Sequence, residues 1–271
     1  MYKKIFVLRI DVDTVKGLEK GVPNLLRTVG TKYKINFFIN FGYETNLFEF
    51  LKNFRKNKRA LNLIKTRGFF QTLKGLRRKK IDIVHKNLIK KIIRQGHGVY
   101  LHGGMDHGKW IYSFPNTSPD KVRDDILSAR ACFKKFINRP PSGFCSPGFR
   151  WDYRLLRILD DLKFKFASDL SGNKPFYPKI KGRKFKCLQI PVNKKLNIEL
   201  LNSKGKTDEE IFKMVAEEMK RSDFVSIYGH AVYEGIKKTG LLLSILKKAE
   251  KNNFKILTFD QINLTFKDLR K

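Results

Sequence analysis

The sequence predicts one α/β domain, either an α/β barrel or a doubly wound sheet. About seven or eight apolar runs of strand character alternate with helical patterns along the 271 residues. No stretch between them is long enough to act as a linker, so residues 1–271 read as a single domain. Residues with catalytic chemistry also recur just after the strands: Asp11 and Asp13, His102 and His107, Asp169, and His230. Chemistry gathered at one end of the strands is characteristic of both architectures.

The first strand is announced by the apolar run Ile5 to Leu8, which leads through Arg9-Ile10-Asp11-Val12-Asp13-Thr14 into a turn at Lys16-Gly17. Side chains alternate along a strand, so Arg9, Asp11 and Asp13 share one face while Ile10 and Val12 take the other. Carboxylates are rarely buried unless paired or metal-bound. Two on one strand end, with an arginine behind them, point to a metal and proton-transfer centre. The alternative is a strand end whose acids cap a neighbouring turn.

Val22-Pro23 then opens a helix with the stripe Leu25, Leu26 and Val29, and Ile35 to Phe41 reads as a second buried strand. Strand character returns at Gly98 to Leu101 and ends in His102-Gly103-Gly104-Met105-Asp106-His107. Ser118-Pro119 starts a helix carrying Val122, Ile126, Ala129 and Phe133. A strand at Gly143 to Ser146 breaks at Pro147-Gly148, and Arg150-Trp151-Asp152 begins a helix through Leu159. Phe164 to Ser168 is a short strand running into Asp169, and a basic hairpin-like region leads to a strand at Cys187 to Pro191. Thr207-Asp208-Glu209-Glu210 is a capping box for a helix with Ile211, Val215 and Met219. Phe224 to Tyr228 is a strand ending in Gly229-His230, Thr239 to Asn252 a leucine-rich helix, and Ile256-Leu257 a last strand.

Hydrophobic residues make up 41% and charged residues 31%, enough for a packed core and against wholesale disorder. The formal net charge of +33 is uneven: between Leu51 and Gln95 sixteen Lys and Arg face one acid, Asp82, which gives +15 there. Within this basic segment, 43–95, Leu47, Leu51 and Phe54, and later Phe69, Leu73 and Leu76, fall at helical spacing. A basic amphipathic helix reads as a membrane-surface element or a nucleic-acid contact, with a lysine-rich solvated face as the plain alternative. The adjacent Phe69-Phe70 favours an anionic membrane surface, and no nucleic-acid motif or base-stacking platform accompanies the charge. Cys132, Cys145 and Cys187 form no CxxC pair, which fits a reducing compartment. Arg9 and Asp11 interrupt the first apolar run, which excludes it as a signal peptide's core, and no stretch approaches the roughly 20 apolar residues of a membrane span. The expected location is cytoplasmic, peripheral to the inner membrane.

Asp13 with His102 and His107 would make a two-His, one-carboxylate metal centre with open positions for water and substrate, the plain alternative being structural histidines at strand ends. Asp11 beside it would take a proton from water, and His230 would donate one to a leaving group, a division of labour that fits amide hydrolysis. The remaining histidines, His85 and His97, lack such a setting and read as structural.

In this order the residues resemble the polysaccharide deacetylase (NodB-homology) family, and more narrowly its lipid-linked formamido-arabinose deformylases. The similar stretches are Leu8 to Thr14 with Gly21-Val22-Pro23, Gly98 to His102, Pro147-Gly148-Phe149-Arg150, Gln189 to Val192, and His230 to Gly235. The resemblance implies a distorted (β/α)7-type barrel with the basic helical segment inserted, a divalent metal, usually zinc, and hydrolysis of an N-acyl sugar. It makes Asp11 the general base, Asp13 and His102 metal ligands, and His230 the general acid, with Asp169 a further catalytic residue. The expected substrate is an amino sugar carried on undecaprenyl phosphate and losing a formyl or acetyl group.

Two departures stand out. The family's second histidine comes four residues after the first, where this chain has Asp106, so either His107 is the ligand after a one-residue insertion or Asp106 replaces it. Nitrogen ligands suit zinc and favour His107. Many deacetylases hold the base with an arginine at the position of Cys145; here Arg9 or Arg150 would do so, and these two with Glu234 are the expected substrate-binding residues. Two other readings compete: a haloacid-dehalogenase-type magnesium phosphatase, whose Asp-x-Asp-x-Thr signature Asp11 to Thr14 satisfies, and a nonenzymatic basic binder of membrane or nucleic acid. The first leaves His102, His107 and His230 without a task.

Overall fold

The computed structural model describes residues 4–45, 79–81 and 83–266. Its strands are β1 (Ile5–Val12), β2 (Asn36–Ile39), β3 (Gly98–His102), β4 (Gly143–Cys145), β5 (Phe166–Ala167), β6 (Lys179–Ile180), β7 (Arg183–Lys184), β8 (Leu188–Gln189), β9 (Phe224–His230) and β10 (Lys255–Ile256). Strands β6 and β7 form a small antiparallel hairpin. All the others belong to one parallel sheet whose wall runs β9-β1-β2-β3-β4-β5-β8. β10 pairs with Ile5 and Phe6 on the edge that β2 takes over from Arg9 onward.

The sheet curls far enough for its ends to meet. Asn193, just past β8, donates its backbone N–H to Ser226 on β9 (3.0 Å), and the Ser226 hydroxyl donates to Pro191 O (2.8 Å). This seam is closed by single contacts rather than a ladder, so the molecule is a distorted seven-stranded barrel in a single α/β domain.

The helices are α1 (Val22–Val29), α2 (Lys86–Arg94), α3 (His107–Ser113), α4 (Pro119–Ile137), α5 (Tyr153–Asp161), α6 (Ile198–Ser203), α7 (Asp208–Arg221), α8 (Glu234–Lys237), α9 (Thr239–Lys251) and α10 (Phe259–Thr265). Strand periodicity decides what faces them. Phe6, Leu8, Ile10 and Val12 pack outward with Leu25, Leu26, Ile245 and Leu246, while Ile5 and Val7 join Phe38, Tyr100 and Phe166 inside the barrel. Arg9 and Asp11 continue that inner face towards the carboxyl end of the strands.

The opposite end is stoppered by α10, whose Phe259 and Ile262, with Phe266 beyond them, enter the same inner cluster. Asn36 ties the stopper down: its Oδ1 accepts from Phe259 N (2.7 Å), and its amide donates to Leu8 O and Leu257 O. A buried polar residue is tolerated there because its bonds are made.

The helix expected from Arg150 begins instead at Tyr153, because Asp152 turns its carboxylate onto Arg154 N and Leu155 N as an N-cap. Ser118 precedes α4 without a side-chain capping bond. The capping box at Thr207 and Glu210 forms as the sequence indicates. Leu47, Leu51, Phe54, Phe69, Phe70, Leu73 and Leu76 of the basic segment lie outside the described residues. Its last part, α2, buries Ile89 and Ile92, exposes Lys90, Lys91 and Arg94, and leads back into β3.

Candidate active site

At the carboxyl end of β1, Arg9 and Asp11 meet across one intervening residue. The guanidinium grips the carboxylate with two bonds of 2.7 Å, Nε to Oδ1 and Nη2 to Oδ2, and donates from Nη1 to Ser168 O (2.6 Å). Arg9 is fully buried, stacked against the rings of Phe38 and Phe149 (5.0 and 4.9 Å). Burial works against its charge, but Asp11 outweighs that and raises the guanidinium's affinity for its proton. Of the two arginines suggested by sequence, Arg9 is the one that holds Asp11. Arg150 lies on the exposed rim, where its Nε donates to Ile111 O (3.0 Å).

Two residues further on, Asp13 enters a cluster with His102 and His107. Asp13 Oδ1, His102 Nε2 and His107 Nε2 form a triangle with edges of 3.1, 3.5 and 3.3 Å. Ligands about 2.0–2.2 Å from a tetrahedral zinc stand roughly 3.3–3.5 Å apart, so the triangle has the right size. Asp13 Oδ1 is buried and, close as it is to both rings, makes no aligned hydrogen bond, which leaves it a lone pair for a cation. Burial would raise the Asp13 carboxyl, but His107 and His102 prevail and hold it well below the usual range. The donor set and its geometry fit a divalent metal.

Each imidazole turns its other nitrogen away from the cluster. His102 Nδ1 lies 3.3 Å from Cys145 O and 2.9 Å from its Sγ, and His107 Nδ1 lies 3.1 Å from Thr45 Oγ1. Such partners fix which nitrogen is free to ligate. Asp106 is used differently: its carboxylate accepts from Lys109 N (2.9 Å) and caps α3, which starts the helix at His107 and delivers that ring to the cluster. Gly103 allows the loop between the histidines to turn back, with φ +71 and no room for a Cβ against the Pro147 ring.

Asp11, His102 and Cys145 also come within 4.8 Å of one another. That set is a poor metal site, because Arg9 occupies both Asp11 oxygens and burial pushes the Cys145 thiol well above its usual range.

His230 ends β9 on the other side of β1, its Nε2 3.9 Å from Asp13 Oδ2. Its Nδ1 sits 2.8 Å from Glu199 Oε2, an ion pair whose approach is bent off the ring's N–H axis. Burial lowers the imidazole's pKa, but Glu199, then Asp13 and Glu234, more than reverse this and bring it to about 9. Glu234, expected to touch substrate, is instead fully buried and accepts from the backbone N–H of His230 (2.5 Å) and of Glu199 (3.0 Å). Burial and the nearby Glu199 carboxylate push its own pKa to about 7. It is a brace for the acid pair.

Asp169, expected as a catalytic residue, is also fully buried; its Oδ1 accepts from Ser146 N (2.6 Å) and Ser146 Oγ (2.7 Å), which secures the exit of β4. Its other oxygen, Oδ2, is buried with no hydrogen-bond partner among the described residues, and its charge acts on Arg9 and His102. The histidines read as structural are so placed: His97 Nδ1 accepts from Ile35 N (3.2 Å), and burial takes its pKa down to about 4, while His85 meets Glu19 (3.2 Å).

A family model described as polysaccharide deacetylase matches residues 44–167. A probable 4-deoxy-4-formamido-L-arabinose-phosphoundecaprenol deformylase, ArnD, from Wigglesworthia glossinidia brevipalpis is 30% identical over 238 residues, 82% of this chain and 79% of that protein. The chain belongs to the polysaccharide deacetylase family. A second probable ArnD, from Shewanella sediminis, is 26% identical over 263 residues, covering 92% of this chain and 83% of that protein. A crystal structure solved as a polysaccharide deacetylase from Mycobacterium smegmatis shares the fold, with a TM-score of 0.69 at 15% identity over 99% of this chain and 92% of its own. As a member of the family the protein is a carbohydrate amide hydrolase, and the phosphatase and nonenzymatic readings fall away.

Sequence reasoning passed over three residues of this deacetylase site. Glu199 stands in the first turn of α6, where an acid ordinarily reads as a match to the helix dipole. Thr45 has no local signal at all. Phe149 holds φ +55, a conformation costing about 1–3 kcal/mol for a non-glycine residue, and its ring lies against Arg9. The Pro147-Gly148 break before it was the visible hint.

Glu199→Gln should move the alkaline limb of the kcat–pH profile downward by roughly 1–3 units. In the acid role expected for it His230 must carry its proton, as it does below about 9 while Glu199 stabilises it. Without that charge, burial dominates and the donor is lost at lower pH. An unmoved limb would exclude His230 as the donor.

Proposed function

We propose that the protein is a zinc-dependent N-deacylase that removes a formyl or acetyl group from an amino sugar carried on undecaprenyl phosphate, working at the inner face of the membrane. The observation that carries the metal dependence is the triangle of Asp13, His102 and His107 with its unsatisfied Asp13 oxygen. Two nitrogens and one oxygen at that spacing suit zinc.

When bound there, a divalent cation would polarise the scissile carbonyl and acidify water. Asp11 takes the proton of the attacking water. Arg9 fixes the direction from which Asp11 does so, since both carboxylate oxygens are held. His230, charged at neutral pH, donates its proton to the departing sugar amine, which would otherwise leave as a poor anion. Glu199 keeps that ring turned towards the reaction and stabilises its charge. Base and acid thus stand opposite each other on adjacent strands, β1 and β9, with Asp13 two residues beyond Asp11.

The lipid-linked substrate is supported by the ArnD relatives, whose names specify a phosphoundecaprenol sugar, and by the +15 charge between Leu51 and Gln95. Among the described residues no helix is long and apolar enough to cross a membrane, so the described fold would meet such a substrate at a surface. Lysines there would face anionic lipids and the carrier's phosphate. Lys79, Lys80, Lys90, Lys91 and Arg94 are exposed and available for this.

The test is incubation with formamido-arabinose-phosphoundecaprenol in anionic vesicles, with formate release followed alongside mass spectrometry of the lipid. We expect deformylation, its loss on chelation, and its recovery with zinc. Activity that survives complete removal of metal, or that is confined to soluble glycans, would sink the proposal.

A further inference from the structure

The chain segment after β2 does more than leave the barrel. Tyr43 to Thr45 runs beside Met105 to His107 as an extension of the wall: Tyr43 N donates to Met105 O (2.7 Å) and His107 N donates to Tyr43 O (3.1 Å). Asn40 Nδ2 also donates to Tyr43 O (3.0 Å), so this carbonyl is held from two sides. The next two side chains reach in opposite directions. Glu44, buried, accepts the backbone N–H of Val15, in the loop that carries Asp13. Thr45 reaches the ring of His107. A Cβ at residue 108 would come within 3.0 Å of Thr45 Cγ2, so glycine is what lets Thr45 lie against the start of α3.

From this contact we infer that Thr45 is a positioning residue of the metal centre, acting through His107. His107 directs Nε2 at Asp13 and His102, so its ring proton belongs on Nδ1, and that N–H donates to Thr45 Oγ1 at 3.1 Å. The hydroxyl thereby selects the tautomer that leaves Nε2 free and fixes the ring's rotation. His102 receives the equivalent service from Cys145, on the neighbouring strand. Glu44 and Thr45 together steady two of the three ligands from one dipeptide, at the start of the basic segment. This rests on the metal-centre reading above and adds to it a residue that touches neither ion nor substrate.

Zinc affinity of the full-length protein, measured with zinc chloride against a chromophoric chelator, tests it. Thr45→Val keeps the shape and removes the hydroxyl, and should bind zinc about 10–100-fold more weakly. Thr45→Ser should recover the wild-type affinity, and the metal-free Thr45→Val protein should unfold at the wild-type midpoint. An unchanged affinity in Thr45→Val overturns the inference. So does a serine variant that fails to recover affinity, or a metal-free valine variant that is destabilised, because either outcome makes Thr45 a packing residue. A wild-type protein that binds no zinc would instead remove the metal-centre reading itself.

Discussion

Asp11→Asn should lower kcat by about 10²–10⁴-fold, the range a positioned general base supplies. The amide cannot accept the proton of the attacking water, yet its shape matches the carboxylate's. Asp11 lies outside the Asp13–His102–His107 triangle, so zinc content should stay at the wild-type level. Parallel measurement of kcat and bound metal therefore separates loss of the base from loss of a ligand. A full-rate Asp11→Asn enzyme would mean that another group takes the proton, and a variant that lost its zinc would place Asp11 among the ligands.

Arg9→Met should destabilise the fold by about 3–5 kcal/mol, the usual cost of removing one member of a buried ion pair. Arg9 is fully buried and Asp11 almost so, hence the orphaned carboxylate would have no water to turn to. Ser168 O would also lose its donor. The double variant Arg9→Met, Asp11→Leu removes the stranded charge and should regain most of that stability while remaining inactive. Urea unfolding of the two variants checks this. If Arg9→Met alone unfolds at the wild-type midpoint, the pair is not a buried ion pair in solution.

The architecture was legible because strands buried on both faces read as unbroken apolar runs. Every residue of β1 is buried, so its apolar run stood out, and the alternation correctly set Arg9 and Asp11 apart from Ile10 and Val12. The five-residue step from His102 to His107 could not be resolved by counting alone. The geometry that favours His107 is the N-cap made by Asp106, a fact about helix α3 rather than about ligand chemistry. Glu234 was expected to bind substrate and Asp169 to be catalytic, but Glu234 spends its oxygens on backbone N–H groups and Asp169 turns one oxygen onto Ser146. Glu199 and Thr45 were invisible for the converse reason. Each acts across a gap in sequence that only the barrel closes: 31 residues to His230, 62 to His107.

The way the cylinder shuts has a consequence for how such an enzyme can drift. Its last join is made by Asn193 and Ser226, reinforced by Asn197, whose amide donates to Tyr228 O, and by Glu234, which binds the backbone of both Glu199 and His230. The setting of His230 and the closure of the wall are thus built from overlapping atoms. Selection for a sharper donor and selection for a stiffer cylinder pull on the same few side chains, and neither trait is free to improve alone.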